Sequence, residues 1–150
     1  VEQPWRVAGR RIAVAPPRLD EGWRSVLDEL RGADLVTGPL VSGGRSAGAR
    51  VVCRTAAELG ASGVLALAFP LHPPGRPEKT RAPELTAVDV PLVVVQGETD
   101  AFGTPAAVAA VLAGRPHASV YAVPGDHALK TDVDVVAMAA LSWLSEHLAP

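Results

Sequence analysis

Two stretches of the chain are apolar almost without a break. Gly63-Val-Leu-Ala-Leu-Ala-Phe69 and Pro91-Leu-Val-Val-Val-Gln96 read as strands covered on both faces. Two shorter runs, Leu40 to Ser42 and Ser119 to Val123, read as further strands. Between them the period becomes helical. Trp23, Val26, Leu27 and Leu30 mark one face of a helix from Leu19 to about Gly32, with Asp20 placed to cap it and Gly32 to end it. A second helix runs from Ala47 to about Leu59 and stops at Gly60. A third runs from Pro105, a good first helical residue, to Ala113 before Gly114. The last, Asp132 to His147, carries Val136, Ala140, Leu141, Leu144 and Leu148 at helical spacing. Residues 1–18, with Trp5, Val7, Ile12 and Val14 isolated among Arg and Pro, predict an irregular extended segment. Pro70 to Pro83 predicts a loop. Strands alternating with helices imply right-handed parallel βα units. The expected architecture is a three-layer α/β sandwich with a mainly parallel sheet, in a single domain over residues 1–150.

Composition narrows the function classes. At 150 residues, 48% hydrophobic and 20% charged, the chain has material for a real core. A net charge of -2 and a pI near 6.1 give no reason to expect nucleic acid or an acidic membrane surface as partner. No stretch has the continuous apolarity of a membrane span and none resembles a signal peptide, so a cytoplasmic location is the default expectation. The single Cys53 excludes an internal disulfide and weighs against a zinc cage; inside a helix it reads as a small buried hydrophobe. No two of the four histidines have metal-ligand spacing, and neither a metal nor a cofactor is expected.

The chemistry lies where strands end. Gly44-x-Ser46-x-Gly48 stands between an apolar run and a helix-forming run, the setting in which a sharp turn exposes a serine hydroxyl at the top of a sheet. Glycine on either side removes a steric collision, and the helix beginning at Ala47 aims free N–H groups at the same point. Asp100 follows the Pro91–Gln96 strand in Gly97-Glu98-Thr99-Asp100, and His127 follows the Ser119–Val123 strand in Pro124-Gly125-Asp126-His127. In a parallel sheet these strand ends share one edge, where ligands bind. Serine, acid and histidine in that chain order suit acyl transfer: Ser46 as nucleophile, His127 as general base, Asp100 orienting the imidazole. The Ala47 N–H would stabilise the oxyanion, by about 3 kcal/mol where such a donor has been removed. Each residue also has a plainer reading. Asp100 could cap its turn, Glu98 is the substitute acid, and Asp126 adjoins His127 too closely to pair with it well. Arg45 suits either an anionic substrate group or an ion pair. His72, His117 and His147 have no partner by spacing and read as structural.

These residues also carry a resemblance. The Gly43–Arg50 run, the Phe69-Pro70-Leu71-His72-Pro73-Pro74-Gly75 loop, the Gln96–Asp100 turn and Gly125-Asp126-His127 together resemble the α/β-hydrolase superfamily. The branch they most resemble is that of the small dienelactone-hydrolase-like proteins, which also includes a subunit of a chromatin acetyltransferase complex. The resemblance covers roughly residues 19–148 and implies the later half of the fold, with Ser46, Asp100 and His127 matching nucleophile, acid and base. It also implies earlier strands and a His-Gly-rich loop with a second oxyanion N–H, neither of which this sequence contains. The chain is then either part of a longer hydrolase or a shortened relative with reduced activity. Without a neighbour, the Leu40–Ser42 strand would expose an edge, through which homodimerisation is expected.

Two function classes follow. The first is a serine hydrolase acting on an ester, thioester or related small acyl substrate. The second is a non-catalytic interaction module that keeps the fold. Nucleotide binding through the Gly43–Gly48 loop ranks last, because Arg45 occupies a glycine that such a loop requires.

Overall fold

The two apolar runs lie side by side at the centre of a parallel sheet in the computed structural model, which describes residues 4–9 and 15–147. Its strands are β1 (Val41–Arg45), β2 (Gly63–Leu67), β3 (Leu92–Gly97) and β4 (Ala118–Val123), in spatial order β1-β2-β3-β4. Val41 pairs with Gly63, Val64 with Leu92, and Leu92 with Ala118. All pairs are parallel, so the C-terminal ends of the four strands share one edge. The helices are α1 (Pro4–Val7), α2 (Pro16–Gly32), α3 (Ala47–Thr55), α4 (Ala82–Thr86), α5 (Pro105–Val111) and α6 (Val133–His147).

Every residue of β3 is buried, which accounts for its unbroken apolar sequence. On one face, Val64, Ala66, Leu92 and Val94 pack against Ala49, Val52 and Cys53 of α3, Leu85 of α4 and Val108 of α5. On the other face, Val93, Val95 and Val123 pack against Trp143 of α6. Three layers result, as expected. Among the described residues β1 is paired on one side only, and no helix is long and apolar enough to cross a membrane.

Several boundaries differ from the sequence reading. α2 starts at Pro16 because proline's fixed φ suits a first helical turn. Asp20 therefore falls inside the helix and does not cap it. Its buried carboxylate instead accepts from Arg54 Nε at 2.9 Å and from Arg54 Nη2. Arg54 also lies 3.2 Å from Glu84, which takes a bidentate pair from Arg50, so α2, α3 and α4 share one ion network. Burial pulls the Arg54 guanidinium down, and the two carboxylates outweigh it and raise it. Residues 4–7 and 16–18, expected as irregular, are helical, and α4 forms at the end of the expected loop. β1 extends to Arg45 because Gly43 and Gly44 still pair with Leu65 and Ala66. β2 stops two residues before Phe69, where Ala68 turns to a φ of 48°. The inner face of α6 is Val136, Ala139, Trp143 and Leu144, whereas Leu141 is 63% exposed. Ile12, Val14 and Leu148 lie outside the described residues.

Candidate functional site

β1 delivers Ser46 directly into α3. Ser46 alone separates strand from helix, and it does so at φ 54° and ψ -113°, a left-handed conformation costly for a residue with a Cβ. The turn can be this tight because Gly44 has no side chain: a Cβ there would strike the carbonyl group of Gly48. The Ser46 N–H still donates to Leu67 O at 2.9 Å, which ties the turn to the sheet.

β3 supplies the acid by a similar backbone approach. A Cβ on Gly97 would lie 2.5 Å from Asp126 O and 2.6 Å from Gly125 O, so the end of β3 sits against the loop after β4. Thr99 N and Oγ1 both donate to Gly125 O at 3.0 Å. Asp100 closes a turn onto Gly97 O, and its carboxylate goes fully inside. Asp100 Oδ1 accepts the Phe102 N–H at 2.8 Å. Asp100 Oδ2 lies 2.8 Å from Gln96 Nε2 and 2.8 Å from His127 Nδ1.

His127 therefore stands between two partners. An ionised carboxylate only accepts, so Nδ1 carries the ring proton. Nε2, 2.8 Å from Ser46 Oγ, is left as the acceptor for the serine hydroxyl. The Phe102 ring lies 4.2 Å from the imidazole, tilted by 33°. Ser46 is among the residues lining a cleft of about 920 Å³ whose walls include Trp5, Trp23 and Val51, with Arg6 and Arg45 as the charged lining residues; His127 and Asp100 do not line it. Ala47 and Gly48 border the same cleft, and the first N–H groups of α3 have no acceptor within the helix.

Ser46, Asp100 and His127 are thus brought together, and the other candidates are not. Glu98 is exposed, and Asp126 accepts from Ala128 N in a local turn. His72, His117 and His147 each donate to a backbone carbonyl, of Pro73, Val88 and Trp143 respectively. Arg45 donates Nη2 to His127 O at 3.2 Å, so it braces the histidine loop as well as lining the cleft. Cys53 is buried, and burial above all pushes its thiol up to about 12. No group of three metal-ligating side chains occurs among the described residues. Sequence reasoning missed Gln96 and Phe102. The available signal for Gln96 was a polar residue in an otherwise apolar buried run, which demands hydrogen-bond partners.

A family model described as an alpha/beta hydrolase domain matches residues 2–140. The chain belongs to the α/β-hydrolase family. Its fold is similar to that of an α/β serine hydrolase without lid from Xanthomonas campestris, with a TM-score of 0.71 and 23% identity over 91% of this chain and 60% of that one. It is also similar to an α/β serine hydrolase homologue from Coxiella burnetii, with a TM-score of 0.65 and 14% identity over 88% of this chain and 60% of that one. An esterase domain of a Rhodothermus marinus protein gives a TM-score of 0.67 and 17% identity over 87% of this chain and 69% of that one. At these identities the likeness is one of fold. This α/β-hydrolase chain spans 60% of the length of the first two structures. No curated protein sequence matches it.

Proposed function

We propose that this α/β-hydrolase chain is a serine hydrolase acting on an ester, thioester or related small acyl substrate. The supporting observation is the hydrogen-bonded series from Ser46 Oγ through the His127 ring to Asp100 Oδ2, with 2.8 Å at each step. In this reading Ser46 Oγ attacks the substrate carbonyl carbon while its proton passes to His127 Nε2. Asp100 offsets the charge of the resulting imidazolium. The oxyanion receives the Ala47 N–H, and collapse of the intermediate expels an alcohol or thiol that takes the proton back from Nε2. Water then attacks the acyl-enzyme by the same proton route, releasing the acid and free Ser46. No cofactor is needed. The two cationic residues of the cleft favour an acyl group that also carries a carboxylate.

Intact-mass analysis after incubation with a fluorophosphonate tests the reading. One adduct on the parent chain, absent in Ser46→Ala, supports it. A folded parent that forms no adduct refutes it. A second reading, a non-catalytic interaction module, draws on the one-sided pairing of β1 among the described residues and on the exposed Val133, Met138 and Leu141 of α6. An unlabelled chain that sediments as a dimer would favour that reading.

A further inference from the structure

Gln96 is wholly buried next to the end of β3. Its Nε2 lies 2.8 Å from Asp100 Oδ2, 2.8 Å from Gly103 O and 3.2 Å from Phe69 O. Three acceptors around one NH2 group fix the orientation of the amide, since the reverse would press Oε1 against three oxygens. The orphan is Oε1, which is buried without a hydrogen-bond partner. Burying an unsatisfied amide oxygen is unfavourable, and a methionine or leucine would fill the same space without it. The NH2 must therefore do something that an apolar side chain would not.

We infer that Gln96 is a positioning residue that holds the Asp100 carboxylate in register with His127, an inference that rests on the hydrolase reading above. The oxygen that Gln96 contacts is the one that accepts the His127 Nδ1 proton. Gln96 and His127 thus share Asp100 Oδ2, while the Phe102 N–H holds Oδ1, so the carboxylate can neither rotate nor tilt away from the ring. The contacts to Gly103 O and Phe69 O pin the same amide to the far end of the acid turn and to the exit of β2. Asp100 is the titratable group touching the amide, and His127 is the next one beyond it.

The test compares Gln96→Met and Gln96→Glu with wild type, by fluorophosphonate labelling rate and by hydrolysis of p-nitrophenyl acetate, with urea midpoints recorded for each. Gln96→Met removes a hydrogen bond to a charged group, and labelling and kcat are expected to fall by about 10- to 100-fold. KM is expected to stay within about 2-fold, because no substrate contact changes. Gln96→Glu can donate to Asp100 only while its new carboxyl is protonated. Its activity relative to wild type is therefore expected to rise as pH is lowered, whereas that of Gln96→Met is expected to hold constant. Repulsion between the new carboxylate and Asp100 also eases at low pH, so the positioning role is read in the low-pH limit, where Gln96→Glu is expected to exceed Gln96→Met by about 10-fold in kcat and a purely structural role gives no excess. A labelled wild type with an equally fast Gln96→Met overturns the inference alone. A folded wild type that fails to label overturns the hydrolase reading and the inference with it. Should Gln96→Met not fold, Gln96→Leu takes its place: activity well below that of Gln96→Glu in the low-pH limit supports the inference, and equal activity overturns it.

Discussion

Replacing Gly44 by alanine tests whether the serine turn is held by backbone contact. The added Cβ would lie 2.9 Å from Ala49 N and closer still to the Gly48 carbonyl, all in the first turn of α3. Carbon atoms pack at about 3.5–4.0 Å, so strand and helix must part by about 1 Å. No flexible side chain can absorb that shift. It falls on Ser46, the one residue joining the two elements, which is already at a φ of 54°. Overpacking of this kind costs about 1–3 kcal/mol, and a displacement of about 1 Å at a reacting group costs about 10²-fold in rate. The control is one residue away. A Cβ on Gly43 would meet Leu65 at 3.8 Å, an ordinary contact, so Gly43→Ala is expected to match wild type within about 0.5 kcal/mol. Urea unfolding gives the stabilities, and the fluorophosphonate labelling rate reports the position of Ser46 Oγ. Equal labelling by the two alanine variants would refute the reasoning.

Other perturbations separate chemistry from scaffold. Asp100→Asn keeps the volume but favours the wrong imidazole tautomer, and kcat is expected to drop by about 10⁴-fold in steady-state assays. Asp20→Ala leaves Arg54 with Glu84 alone, and loss of its charge-assisted pair is expected to cost about 2 kcal/mol in urea unfolding, against little for Arg24→Ala on the exposed pair with Glu58. Cys53, with its thiol raised to about 12, is expected to react with iodoacetamide at pH 8–9 only through its small opened fraction, at a rate that tracks stability in urea. The unfolded thiol ionises first, so stability present below about pH 9 is lost as pH rises toward 12. Urea midpoints should show this alkaline slope, and Cys53→Ala should lack it. Arg45→Ala is expected to weaken the preference for a p-nitrophenyl hemisuccinate over the acetate by up to about 5-fold in kcat/KM, as suits an exposed charge.

What could be read from the sequence depended on how local the deciding contact was. β2 and β3 were legible because burial on both faces leaves an unbroken apolar run in the chain itself. The serine turn was legible because its collision partners, Gly44 and Gly48, are four residues apart. Asp20 was misassigned because its partner Arg54 lies 34 residues away on another helix. α6 is apolar around much of its circumference, so spacing alone could not show that Trp143 faces the sheet and Leu141 does not. Gln96 closes a strand in the sequence and reads as its polar end. Only the fold shows that the acid turn bends back to meet it.

The hydrogen-bonded set is positioned by contacts between backbones. Gly44 lets α3 close on β1, and Gly97 lets the loop after β4 close on β3. Backbone at those points cannot change rotamer, so the sheet register brings the backbone of Ser46, Asp100 and His127 together, and Gln96 and the Phe102 N–H then orient the Asp100 carboxylate. The cleft is built differently. Its walls come from Trp5 and Arg6 of α1 and from Leu19, Trp23 and Val26 of α2, whose side chains can change without moving a strand end. The two parts meet at Arg45 and Ser46, where the last strand residue lines the cleft and the next residue carries the hydroxyl. On the proposed hydrolase reading, variation in α1 and α2 is expected to alter which acyl group is held, while variation at Gly44, Gly97 or Gln96 is expected to act on how fast any acyl group reacts. A substitution in α2 that changed kcat equally for every substrate would contradict that division.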